Sequence, residues 1–356
     1  MSDTLKNLVW RMPHKGHMVP CEEEMPVCGV GQVLVRMEYC GICGSDMHFF
    51  ERGAIGTRQA PKDFILGHES AGTVIAAGEG VKNLRVGDRV ALEPGVPCGT
   101  CEFCMKGLYN LCPEVHFMAA ARPATDGALR QYMAYPEKWC FKLPPSVSTL
   151  QACMVEPLAV GLHAAVRGGA GFGKSALIIG VGPIGYMTLL ACRAMGASRI
   201  IVSDMLENRL QKAAESGADM VIDAAKQDAV QAVLDATDGY GCDIVFECTG
   251  SARSFADTWK YVRPGGVIVN VANAGGDIPY RFDELERKEA DIRHVWRYRH
   301  LYPAAIDALA TGRISLDRIE PTIFPYAQSE QAFEYAIREK SSQLKVIIQI
   351  AQPEEP

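Results

Sequence analysis

The segment from Ala176 to Asp204 constrains this chain most. Ala176-Leu177-Ile178-Ile179 is an apolar run of strand length, followed by Gly180-Val181-Gly182-Pro183-Ile184-Gly185 and a helical stretch reaching Met195. A second strand, Arg199-Ile200-Ile201-Val202-Ser203, ends in Asp204. The spacing has a mechanical meaning: Gly180 permits the turn, Gly182 lets backbone approach a pyrophosphate, and Gly185 packs helix on strand. Pro183 and Ile184 open the helix, whose first N–H groups face the phosphates. A carboxylate at Asp204 can accept both ribose hydroxyls of NAD and repels the 2′-phosphate of NADP; it can also simply cap the next helix. Just upstream, Gly168-Gly169-Ala170-Gly171-Phe172-Gly173-Lys174-Ser175 matches a phosphate-binding P-loop. That loop needs a strand before it and a helix after it, and here the order is reversed, so the segment reads as a helix-to-strand turn.

Strands alternate with helices from 158 to 296, which predicts a doubly wound parallel sheet. Residues 1–157 differ in texture, with many Gly, Pro and Cys and short alternating runs such as Gln32–Met37 and Gly72–Ile75. These predict short antiparallel strands. Residues 297–356 return to helix and strand, ending in Lys345-Val346-Ile347-Ile348-Gln349-Ile350. A chain of 356 residues suits two domains, the second inserted into the first through continuous helices. A net charge of −6 argues against nucleic acid as a partner. Met1–Pro20 lacks the apolar core of a leader, and no apolar run is long enough for a membrane span, so a cytoplasmic protein with a small-molecule ligand is expected.

Thirteen cysteines in an unsecreted chain ask for an explanation other than disulfides. Cys98, Cys101, Cys104 and Cys112, in a lobe spanning 95–113, are close enough for four thiolates to meet on one ion. Four sulfurs leave no open position, so the ion is expected to be a structural zinc. A second constellation combines Cys43 with Gly67-His68-Glu69 and Glu156-Pro157. Three protein ligands plus water is the pattern of a catalytic zinc. Neighbouring strand residues point to opposite faces, so His68 and Glu69 cannot share an ion from a regular strand. Either Gly67 breaks the strand, or Glu69 stands behind the ligands and Glu156 approaches the metal.

Taken together, these residues resemble the zinc-containing medium-chain dehydrogenases and, within them, the sorbitol (polyol) dehydrogenases. The resemblance runs from Gly41-Ile42-Cys43-Gly44-Ser45-Asp46 through Glu156-Pro157-Leu158-Ala159-Val160-Gly161 to Val295-Trp296-Arg297-Tyr298. It implies an α/β architecture: a GroES-like, β-rich catalytic domain wrapped around a Rossmann domain, with the active site in the cleft. By that resemblance Cys43, His68 and Glu69 hold the catalytic zinc, with Glu156 beside a zinc-bound water. Ile184, Asp204, Arg209, Thr249, Val271, Asn273, Val295 and Arg297 contact NAD+. Phe49, Glu156, Arg297 and Tyr298 line the substrate. A homotetramer is implied as well.

The expected reaction moves hydride from a secondary hydroxyl of a polyol to NAD+, giving a ketose. The proton leaves through Glu156, or through Ser45 and His48. Two positions depart from the family pattern. Phe49 stands where sorbitol dehydrogenases generally carry Tyr, and Arg299-His300 is more basic than the family's small polar residues. The basic pair points either to a substrate with an acidic group or to a solvated surface face. A same-fold zinc dehydrogenase acting on butanediol, threonine, a sugar-alcohol phosphate or a sugar acid is the alternative reading, and a non-catalytic nucleotide-binding relative is the alternative from another class.

Overall fold

The computed structural model describes residues 5–273 and 275–353. Its strands fall where apolar residues recur at strand spacing. Those of the two large sheets are, in chain order, β1 (Gln32–Gly41), β2 (Glu69–Ala77), β3 (Arg89–Leu92), β4 (Tyr132–Pro136), β5 (Cys140–Lys142), β6 (Ser175–Ile179) and β7 (Arg199–Asp204). Then follow β8 (Met220–Asp223), β9 (Cys242–Glu247), β10 (Val262–Asn270), β11 (Asp291–His294), β12 (Thr322–Pro325) and β13 (Val346–Gln349). The helices that matter below are α1 (Gly44–Arg52), α2 (Val155–Gly168), α3 (Pro183–Ala194) and α4 (Glu207–Glu215).

The chain divides into two compact units, Met1–Glu156 with Tyr302–Ala310 and Glu320–Pro356, and Pro157–Leu301 with Thr311–Ile319. The expected boundaries lay at 157/158 and 296/297; the units change at Glu156/Pro157 and Leu301/Tyr302, and 311–319 goes with the second. Helix α2 runs through the first of these junctions. Pro157 is tolerated there because it occupies the first turn, where its missing N–H breaks no helical bond.

The first unit is built on a sheet of order β5-β3-β2-β1-β13-β12, with β4 also pairing to β1. Long β1 is the hinge of this sheet. Its first half takes β4 and its last residues, Tyr39 to Gly41, take β13. Val33, Val35 and Met37 alternate along β1 and are fully buried with Val74, Val90, Leu92 and Ile348.

The second unit is a six-stranded, all-parallel sheet of order β8-β7-β6-β9-β10-β11. Leu177, Ile201, Val245 and Ile268 sit at one level on four neighbouring strands and are buried together. Continuous apolar strands of this kind are what a sheet covered on both faces requires. This is the doubly wound, Rossmann-type order, which reverses direction between β6 and β9 and opens a crevice at their carboxyl ends. The P-loop look-alike is a turn between α2 and β6, as the sequence predicts.

Candidate active site

Cys98, Cys101, Cys104 and Cys112 converge within the first unit. Their sulfurs lie 3.4 Å (Cys101–Cys104), 3.6 Å (Cys98–Cys112) and 4.0 Å (Cys98–Cys104) apart. Zinc–sulfur bonds of about 2.3 Å on a tetrahedron place sulfurs about 3.8 Å from one another, so the four fit one zinc ion. Backbone N–H groups of Thr100 and Cys101 pull the Cys98 thiol down to about 6. Burial pushes the Cys104 thiol up to about 12, with its sulfur neighbours adding to the effect.

The second group is Cys43, His68 and Glu69, each offering one ligand atom, all within 4.8 Å of one another. The geometry meets the condition that adjacent His and Glu impose. Gly67 takes φ +92°, a left-handed conformation open to glycine, and β2 starts only at Glu69. His68 is therefore outside the regular strand and both side chains reach the same point. A Cβ at position 67 would also come within 2.6 Å of the Cys40 sulfur.

Asp46 organises the group. Cys43 caps α1, and its backbone N–H donates to Asp46 Oδ2 at 3.2 Å. Asp46 Oδ1 accepts the Gly67 N–H at 3.1 Å and faces His68 Nδ1 at 3.4 Å. Burial alone would lower the His68 pKa; the Asp46 carboxylate and the Cys43 sulfur outweigh it and hold it well above the ordinary value. Lys345, buried just before β13, pairs with Glu69 and donates to the Ile42 carbonyl at 3.0 Å. Nothing in the sequence alone assigns Asp46 or Lys345 a role at this group. For Asp46 the signal was its place three residues after the helix-capping Cys43. For Lys345 it was a charged residue heading an apolar strand.

Glu156 is buried in the first turn of α2 but is not part of that three-ligand group. Its neighbour in charge is Glu93, unnoticed in the sequence. Burial pushes the Glu93 carboxyl up to about 7, eased by a 2.7 Å hydrogen bond from Tyr109 and reinforced by Glu156. Ser45 is half-buried and His48 exposed on α1. Partial burial and Arg52 lower the pKa of His48. Phe49 is packed into the core, edge-on to Phe64 at 5.5 Å.

The nucleotide candidates lie in the second unit. Gly182 caps α3 and Pro183 opens it. A Cβ on Gly185 would stand 1.8 Å from the Gly180 carbonyl, so only glycine lets helix and turn approach this closely. Asp204 accepts the Val181 N–H at 2.7 Å, and its other oxygen accepts those of Met205 (2.7 Å) and Leu206 (3.0 Å). It therefore ties the glycine turn to the start of α4, with Arg209 at 3.9 Å. Thr249 closes over Gly180. Val271 and Val295 follow β10 and β11 at the same edge of the sheet, and the Val295 N–H donates to Asn270 at 2.9 Å. Asn273 lies just beyond, its carbonyl against Gly250. Arg297 has φ +55° and stacks on Trp296 at 5.2 Å, and Tyr298 is buried.

A GroES-like unit with a four-cysteine lobe and a Cys-His-Glu group, joined to a Rossmann-type unit, defines a zinc-type alcohol dehydrogenase. Residues 29–145 match the alcohol dehydrogenase GroES-like domain and residues 183–311 the zinc-binding dehydrogenase domain. The chain belongs to the zinc-containing medium-chain dehydrogenases, and within them it is sorbitol dehydrogenase-like. It is 42% identical over 337 residues to an uncharacterized zinc-type alcohol dehydrogenase-like protein of Escherichia coli, covering 94% of this chain and 96% of that one. It is 38% identical to the sorbitol dehydrogenase of Bacillus subtilis over 329 residues, 92% and 93% of the two chains. Among solved structures, an Escherichia coli short chain alcohol dehydrogenase complexed with NADH superposes with a TM-score of 0.89 at 26% identity, covering 97% of this chain and 99% of that one. Among the described residues no helix is long and apolar enough to cross a membrane.

Proposed function

We propose that the protein oxidises a secondary hydroxyl of a polyol to a ketone with NAD+ as hydride acceptor, reversibly. The observation that carries this reading is the Cys43-His68-Glu69 group, three unlike candidate ligands that the left-handed turn at Gly67 lets converge. Three ligands leave a position for substrate, whereas four thiolates do not. Zinc held there supplies a Lewis acid that lowers the pKa of a coordinated hydroxyl toward neutrality. Asp46 fixes the His68 imidazole and, through the Cys43 N–H, the start of α1. Glu156 takes the hydroxyl proton at its carboxylate, and the raised Glu93 beside it offers a second carboxyl titrating near neutrality. Gly180, Gly182 and the first turn of α3 hold the pyrophosphate, and Asp204 the adenosine ribose.

Sequence relatives support the polyol, and the NADH complex of a structural neighbour supports the cofactor. The same resemblance leads us to propose a cytoplasmic homotetramer. The deciding experiment incubates the zinc-loaded protein with NAD+ and a panel of polyols, sugar acids, sugar-alcohol phosphates, butanediol and threonine, following nicotinamide absorbance. We expect sorbitol- or xylitol-like polyols to give the highest kcat/KM. A highest value with an acid or phosphate overturns the substrate, and silence across the panel with two zinc ions bound overturns the activity. Asp204→Ser should raise NADP+ turnover relative to NAD+, and an unaltered ratio removes Asp204 from cofactor choice.

A further inference from the structure

The carboxyl ends of β6 and β9 flank the crevice where the sheet order reverses, and β9 ends in an acid. Glu247 is completely buried. Its Oε1 accepts the Thr249 N–H at 3.0 Å and also the Thr249 hydroxyl, and its Oε2 accepts the Gly250 N–H at 3.1 Å. Its own carbonyl accepts the N–H groups of Val271 (2.9 Å) and Ala272 (3.2 Å). One residue thereby ties two crossover loops, the one after β9 and the one after β10.

These loops bound the glycine turn. A Cβ on Gly180 would meet the Thr249 methyl at 2.5 Å, and one on Gly250 would meet the Asn273 carbonyl at 3.0 Å. The Thr249 hydroxyl is in turn engaged by the N–H of Ser251, which caps the next helix. The strand needs no acid at its end for its own stability, since its ladder is made by backbone. A buried carboxylate spent on three loop donors is explained by what the loops must hold.

We infer that Glu247 is a positioning residue of the dinucleotide site: it fixes Thr249, Gly250 and, through its carbonyl, Val271 to Asn273 against the Gly180 turn before cofactor arrives. This rests on the assignment of that turn to a nicotinamide dinucleotide. Pre-organisation of this kind appears in the binding constant for the dinucleotide, because loops that are loose in the free protein must be ordered on binding.

The test uses the zinc-loaded, full-length protein and NADH, with binding followed by fluorescence titration. Glu247→Gln keeps the size and one acceptor oxygen but turns an amide N–H toward Gly250. Losing a charge-assisted hydrogen bond in this way should raise the NADH Kd by about tenfold or more. The zinc content should stay that of the parent, and kcat at saturating cofactor should stay within about threefold of it. Glu247→Asp should fall between the two. Ser175→Ala serves as the control at the opposite ends of the same strands, where the Ser175 hydroxyl donates to Asp243 at 2.7 Å. It should lower Tm and leave the Kd unmoved. Should Glu247→Gln fail to fold, Glu247→Asp alone should still weaken NADH, and a parental Kd in that variant overturns the proposal. A Glu247→Gln protein with the parent's Kd and a lowered Tm overturns the proposal, as does an equal loss of affinity in Ser175→Ala. A parent protein that binds no NADH instead overturns the dinucleotide reading itself.

Discussion

Among single residues His163 shows how environment fixes a charge. It is buried on α2, and burial first, then Arg299 and Arg167, pull its pKa down to about 4. An imidazole near 6.5 when unfolded therefore binds a proton that the folded form refuses. Stability from this group is present above pH 6.5 and is lost as pH falls toward 4. Between pH 7 and pH 5 that loss amounts to about 2 kcal/mol. His163→Gln should be less acid-sensitive than the parent by that amount in urea unfolding at the two pH values, and parallel slopes would show the group is not responsible. His68→Ala should retain the zinc of the cysteine lobe and lose the other, read as metal per chain; two ions in that variant would leave His68 without a ligand role. The residues that gather at these two points were legible because Cys and His are scarce and their spacing is specific. What positions them was not: Asp46, Glu93 and Lys345 look like ordinary charged residues until their burial and partners are seen.

At the level of elements, Glu38 gives the clearest dependence. It is fully buried on β1 and accepts the Thr73 hydroxyl of β2 at 2.7 Å and the Thr149 hydroxyl at 2.6 Å. Arg36 pairs with it at 3.2 Å. One carboxylate thus pins a helical turn (Thr149–Ala152) to two strands. Thr149→Val keeps the shape and deletes a donor to a buried charge, which should destabilise by about 1–2 kcal/mol in denaturant titration; no change would mean the remaining donors suffice. Strands β6 and β7 could be read from sequence because Ala176–Ile179 and Ile200–Val202 are unbroken apolar runs of strand length. The contact of β13 with β1, and of Lys345 with Glu69, could not be. Such pairing joins residues far apart in the chain, and nothing local encodes which edge a late strand will choose.

For the molecule as a whole, the two proposed zinc sites differ in how they are closed. The cysteine lobe lies within 95–113, so its four ligands come from one short loop. Cys112→Ser should therefore remove one zinc per chain and lower the unfolding temperature, while the dinucleotide site still takes up NADH. Loss of both ions would show the sites are coupled.

The first unit itself is discontinuous, and its central sheet is filled only when β13 enters beside β1. Made in order on a ribosome, the four cysteines of the lobe are all present while most of the protein is unmade. Glu69 and Lys345 lie far apart in sequence, so their pairing waits until β13 has been made.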